Sequence, residues 1–160
     1  MKIRVAWIGK TKEAAIQALT EEYLKRISRY VPIEGGALRD EAALFENCGR
    51  ASYARSTSAK TKKLSGGGKS MLVLVDLRGK QLSSEELAEF LRDYQDRNPL
   101  PLIFAVGPAD GFSEEARAAA QFMLSLGRMT MAHELARVVL LEQIYRAFTI
   151  LKRHPYHCGH

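Results

Sequence analysis

Short apolar runs alternating with segments of helical spacing set the strongest limit on what this chain can fold into. Residues 71–77 read MLVLVDL and residues 100–106 read LPLIFAV, both strand-like. Between them, Ser83-x-x-Glu86 forms a capping box, which satisfies free amides at a helix start, and the helical pattern runs to Arg97 before Asn98-Pro99. The same alternation precedes them. Residues 3–8 (IRVAWI) predict a strand ending at Gly9, and residues 11–29 carry Ala15, Ile16, Leu19, Tyr23, Leu24 and Ile27 at helical spacing. Pro32 closes that helix, residues 31–38 predict a weaker strand, and residues 40–64 predict a helix interrupted at Gly49 and at Ser56-Thr57-Ser58.

The second half continues in kind. Turns are predicted at residues 65–68 (SGGG) and at Arg78-Gly79-Lys80. Ser113 caps a helix over 114–122, residues 123–126 make a short strand, and residues 131–152 make a long final helix. Leu135, Val138, Val139, Leu141, Ile144, Tyr145, Phe148 and Leu151 cover most of that helix's circumference, so burial on several sides is expected, against a partner subunit as well as its own sheet. The expectation is one α/β domain over 1–160, a mostly parallel sheet flanked by helices.

With 160 residues and 46% apolar content, the chain can build a single core. No apolar run approaches bilayer length, and the start, MKIRVAWIGK, lacks a secretory pattern, so a cytoplasmic protein is expected. Cys48 and Cys158 form no CxxC pair and suggest two free thiols. The net charge is +6, and residues 47–75 hold Arg50, Arg55, Lys60, Lys62, Lys63 and Lys69 with no acid. Such a stretch attracts polyanions such as RNA, or is simply a solvated face.

Several motifs test against chemistry. Gly66-Gly67-Gly68-Lys69-Ser70 echoes a phosphate loop, but position 63 is Lys63 and the glycines precede a strand instead of following one. Gly9-Lys10-Thr11-Lys12 has one glycine where a dinucleotide fold wants GxGxxG. The loops after the last two strands, 106–111 and 127–130, are better placed, since ligands of open parallel sheets sit beyond the carboxyl ends of the strands. On the final helix, His133 and Arg137 lie one turn apart, as do Glu142 and Arg146. Both pairs read either as helix-surface pairing or as groups facing a cleft or subunit contact. The ending HPYHCGH places His154, His157 and Cys158 close together, but adjacent His-Cys side chains make poor tetrahedral vertices and no CxxC or HxxxH completes a site. No metal is expected.

The stretch LSLGRMTMAHELARVVLLEQIYRAFTILKRHPYH, residues 124–157, closely resembles the C-terminus of the RlmH family, small SPOUT-class enzymes that methylate pseudouridine in 23S ribosomal RNA. The resemblance extends to FAVGPADGF (104–112), LVLVDLRGK (72–80) and the opening KIRVAWIGK, and so covers essentially the whole chain. It implies a C-terminal trefoil knot and a homodimer built on the long helix. It implies S-adenosylmethionine (SAM) as cofactor, held in the knot by Val75 or Asp76, by Gly107, and by Gly127, Arg128, Met129, Thr130, Met131 and Ala132.

The implied substrate is pseudouridine in helix 69 of 23S rRNA within the 70S ribosome, methylated at N3. Methyl transfer from a sulfonium needs alignment of nucleophile, carbon and sulfur, and removal of the N3 proton. By the same resemblance Tyr156, His157, His133 and Arg146 are the catalytic candidates. Arg137, Lys152, Arg153 and His154 are the candidates for RNA contact. The chain departs from the family pattern at Ala132, where proline is common, at Val106, where a second glycine is common, and in the ending Cys158-Gly159-His160. Alternative readings are a knotted tRNA methyltransferase, or a non-catalytic protein binding RNA or ribosomes through its basic stretch.

Overall fold

The computed structural model describes residues 1–49 and 69–158. The remainder of the predicted 40–64 helix, most of the basic stretch from Arg50 to Lys63, the residues 65–68 and the last two positions, Gly159 and His160, lie outside the described residues.

Among the described residues, five parallel strands form one sheet. They are β1 (Ile3–Ile8), β2 (Ile33–Leu38), β3 (Met71–Gln81), β4 (Leu102–Val106) and β5 (Phe122–Ser125), in the order β2-β1-β4-β3-β5. The helices are α1 (Ala14–Ile27), α2 (Glu41–Asn47), α3 (Ser84–Arg97), α4 (Glu114–Ala119) and α5 (His133–Leu151), and a 3-10 turn, Pro155–His157, follows α5. The expected parallel α/β architecture is present.

Alternation along the strands sorts two cores. Leu102, Phe104 and Val106 of β4 face α1, α3 and α5 together with Val5, Leu91, Leu140 and Ile144. Ile103 and Ala105 face the other way, with Leu72, Leu74, Leu44 of α2 and Ala116 of α4. β4, buried at every position, sits at the centre of this three-layer sandwich. α5 packs between α1 and α3, and the Ser83–Glu86 capping box starts α3 with both of its hydrogen bonds made.

The local boundaries depart from expectation in three informative places. No turn occurs at Arg78-Gly79-Lys80; β3 runs on to Gln81. Leu124 of β5 pairs with both Val75 and Lys80, so residues 76–79 bulge out of the ladder. This is possible because position 79 is glycine. A Cβ there would lie 2.6 Å from the carbonyl carbons of Met123 and Leu124. The predicted 114–122 helix stops at Ala119, where the chain turns extended and the Gln121 amide bonds to the Leu72 carbonyl, drawing Phe122 into β5. The predicted 11–29 helix starts only at Ala14, because residues 11 and 12 are bound by side chains from α5.

Candidate active site

The carboxyl ends of β3, β4 and β5 open on a cleft of about 330 Å3, closed on one side by the first turns of α5. Three chain segments shape it. After β4, the Pro108–Gly111 turn is closed by the Gly111 amide on the Pro108 carbonyl at 2.9 Å. Gly107 presses against the Phe112 ring, where a Cβ would come within 2.9 Å. After β5, Gly127 takes φ +138°, a conformation that side-chain-bearing residues rarely adopt, and has open space where a Cβ would be. Ser125 holds that turn, its hydroxyl donating to the Gly127 carbonyl at 2.9 Å. The third segment is the β3 bulge.

The bulge carries an ion network. The Asp76 carboxylate accepts from the Arg117 Nε at 2.9 Å and from the Arg78 amide at 2.8 Å. Glu114 Oε1 accepts from Arg117 at 2.8 Å and from Arg78 at 2.9 Å. Burial alone would push the Asp76 carboxyl up. The Arg78 amide, followed by the Arg117 guanidinium, outweighs burial and holds it below the usual carboxylate range. Asp76 is thus a charge whose partners are already supplied, and it fixes the bulge.

Of the cofactor candidates, Val75, Asp76, Gly107, Gly127, Met129, Thr130 and Met131 line this cleft, as does His133; Arg128 and Ala132 are not among the lining residues. Val75, Val106, Leu126 and Met131 give the cleft apolar walls, and the glycine turns expose backbone between them. Met129, on its lining, is 84% exposed, and Leu135, in the first turn of α5, is 47% exposed.

A second constellation lies at the far end of α5. Glu142 Oε1 accepts from Arg146 Nε at 3.0 Å and Nη2 at 2.7 Å, and from the Tyr156 hydroxyl at 3.1 Å. Its other oxygen accepts from Gln143 at 2.7 Å. Tyr156 packs edge-on against Tyr145, with ring centroids 4.7 Å apart, and Arg146 sits over its ring at 5.1 Å. Burial, then Tyr23 and Glu142, push the Tyr156 hydroxyl well above its ordinary value. His154 turns the chain back by accepting the Tyr156 amide on Nδ1 at 3.2 Å, and His157 lies against the Cys158 thiol. Lys152, Arg153 and His154 are exposed beside it.

The four catalytic candidates are therefore not together in this chain. His133 and Arg146 are thirteen residues apart on α5, about 20 Å at 1.5 Å per residue. Glu142, the hub of the tail, shows in the sequence only as half of an i,i+4 pair. That spacing was the available signal; the chain's return after Arg153, which adds Tyr156, gave none.

Arg137 does not reach the surface as an RNA contact. It is 1% exposed, its guanidinium stacks 4.0 Å from the Trp7 ring centroid, and Nη1 donates to the Thr11 hydroxyl at 2.5 Å. Burial pulls its pKa down. Among the described residues no three His, Cys, Asp or Glu side chains gather in a way that could hold a metal ion, and no helix is long and apolar enough to cross a membrane.

Comparison with known proteins gives the chain relatives over its full length. A family model described as "Predicted SPOUT methyltransferase" matches residues 1–157. A protein of Koribacter versatilis named ribosomal RNA large subunit methyltransferase H is 54% identical over 160 residues, covering all of both chains. A Geobacter sulfurreducens protein of the same name is 42% identical over 157 residues, 98% of this chain and 99% of that one. Among solved structures, a probable methylase family protein from Haemophilus influenzae superposes with a TM-score of 0.58 at 9% identity, covering 96% of this chain and 69% of that one, a likeness of fold alone.

Proposed function

The chain belongs to the SPOUT methyltransferase family and is a methyltransferase, and from that premise we propose that it moves the methyl group of SAM to N3 of the helix 69 pseudouridine in 23S rRNA. The observation that carries the cofactor half is the glycine-walled cleft at the carboxyl edge of the sheet. Its residues fit an adenosyl group: Val75, Val106, Leu126 and Met131 are apolar walls, and Gly107 and Gly127 leave backbone open beside them. When bound, SAM supplies a methyl already activated on a sulfonium.

The protein's own part is alignment and charge. In this reading His133, on the cleft wall, and the Tyr156-His157 tail converge on the base. Glu142 orients both Tyr156 and Arg146. The Tyr156 hydroxyl, its pKa raised further above neutral by burial, keeps its proton, donates a hydrogen bond to Glu142, and does not act as a base. Arg146 offers positive charge to the anion that forms when N3 loses its proton, and His157 and His133 are the groups able to accept that proton. Lys152, Arg153 and His154 lie on the exposed side of the tail, where RNA phosphates would approach.

Convergence requires a second protomer. Two copies related by a two-fold axis, with their α5 helices antiparallel, would set one protomer's tail at the other's cleft. The exposed Met129 on the cleft lining and Leu135 on the first turn of α5, and the separation of His133 from Arg146, support a homodimer of this kind. The reading also includes a C-terminal trefoil knot, which rests on the family resemblance. Action on ribosomes places the protein in the cytoplasm.

The test is transfer of labelled methyl from SAM to 70S ribosomes lacking the modification, with naked 23S rRNA and bulk tRNA alongside, with and without EDTA. Label in 23S rRNA from 70S particles, unchanged by EDTA, is expected. Label in tRNA instead would overturn the substrate. A folded protein that binds no SAM would overturn the cofactor.

A further inference from the structure

Arg137 is a charge that the mechanism above leaves unused. It is among the largest fully buried side chains, yet its guanidinium donates to a neutral hydroxyl and lies over an aromatic face, the Glu134 charge acts on it without closing a salt bridge, and its Nε has no acceptor. An arginine buried without a salt-bridged carboxylate is costly, and an apolar side chain could fill the same volume without that penalty. What the arginine does hold is a loop.

That loop is the β1–α1 connection, residues 9–13. Arg137 grips it at the Thr11 hydroxyl, and one turn earlier Glu134 Oε1 accepts the Lys12 amide at 2.5 Å. Positions 134 and 137 are neighbours on one face of the helix, so two turns of α5 fix two successive loop residues. At its start the loop is tied to β2 by the Gly9 amide on the Leu38 carbonyl at 3.0 Å. The loop follows β1 at the carboxyl edge of the sheet, and the same two turns of α5 bring His133 and Ala136 to the cleft wall. Lys10 and Lys12 stand exposed on it, and among the described residues neither makes an ion pair. Residues 9–13 read Gly-Lys-Thr-Lys-Glu and offer no apolar side chain. Point charges without apolar surface suit a phosphate backbone better than a peptide.

We propose that the residue 9–13 loop is a contact for backbone phosphates of the RNA substrate, with Lys10 and Lys12 as its cations. Arg137 is its positioning residue, acting through Thr11. The inference rests on the RNA methyltransferase reading above. Two cations held at a fixed place relative to the cleft register the RNA backbone against the methyl donor, and a loop already ordered loses less freedom when the RNA arrives.

The experiment compares the full chain with Lys10→Gln/Lys12→Gln, Thr11→Val and Arg137→Lys. Affinity for naked 23S rRNA is measured over a range of salt, steady-state kinetics on unmethylated 70S ribosomes, and SAM affinity by calorimetry. The double lysine variant is expected to lower the slope of log affinity against log salt by about one to two, as lost phosphate contacts do. Its KM for ribosomes should rise by about five- to tenfold, with kcat and SAM affinity unchanged. Thr11→Val and Arg137→Lys keep both lysines and should raise KM by about threefold at an unchanged salt slope. A purely structural role would lower the melting temperature and leave KM alone, which overturns the positioning role. A wild-type slope and KM in the double variant overturns the RNA contact. A rise in KM on 70S particles with no change of slope on naked rRNA assigns the loop to an acidic protein surface and overturns it too. If even the wild type moves no methyl to ribosomes, the substrate reading fails, while the salt slope on RNA still decides the role of the loop.

Discussion

The Tyr156 hydroxyl and two nitrogens of Arg146 all donate to one oxygen of Glu142, at 3.1, 3.0 and 2.7 Å. A side chain at one helical position thereby sets both a residue one turn on and a residue that returns from beyond the helix end. The tail's geometry depends on this carboxylate.

Glu142→Gln keeps the shape of that hub but removes its charge and one acceptor geometry. Methyl transfer at saturating substrate should fall about ten- to a hundredfold, equivalent to roughly 1.4–2.7 kcal/mol of transition-state stabilisation. SAM affinity should stay within about twofold. Loss of SAM binding in the folded variant would contradict the separation of tail and cleft within a protomer. Tyr156→Phe should follow the same pattern.

If tail and cleft come from different protomers, two inactive variants can repair each other. Mixed dimers of His133→Ala and Tyr156→Phe contain one site with both defects and one with neither. Co-expressed and purified together, they should recover about a quarter of wild-type activity, half the dimers being mixed and each having one working site. Recovery no greater than the sum of the separate variants would show that each site is built within one chain.

Gly79→Ala puts a methyl group where the Met123 and Leu124 backbone already lies, 2.6 Å away. Neither strand has a flexible side chain to yield there. The expected loss is about 3 kcal/mol in urea unfolding, at the upper end of ordinary overpacking. SAM binding should fall as well, since the displaced bulge forms part of the cleft.

Arg117 governs how the protein responds to acid. The Asp76 carboxyl is held low, so the stability it contributes is present above the unfolded value near pH 4 and is lost as pH falls through the lower folded value. In Arg117→Met, burial of Asp76 is opposed only by the Arg78 amide and charge. Its folded pKa should rise, and the acid unfolding midpoint should move to higher pH by circular dichroism. Asp76→Asn in the same background should remove that shift. An unchanged midpoint in Arg117→Met would mean that the pair carries no proton linkage.

Much of this structure can be read from the residues, and the failures have physical causes. Periodicity located all five strands, and the Ser83 and Ser113 caps marked helix starts to the residue, because capping is a local contact. The β3 extension was missed because Gly79 reads as a turn in isolation; what makes it a strand residue is the approach of β5, more than forty positions later. The glycine loops of the cleft were legible from their place after strands. The burial of Arg137 was not, since it depends on Trp7 and Thr11, both far away in sequence and adjacent only after folding. The split of the catalytic candidates along α5 follows from helix rise alone and could have been computed from the numbering.

Trp7 is the chain's single tryptophan, so all indole emission comes from a ring lying under a buried cation, against the edge strand and beside the loop that α5 holds. The molecule thus contains its own optical gauge. A change in colour or intensity reports whether β1, the loop and the start of α5 still move as one piece, and it can be read without a label in the isolated protein.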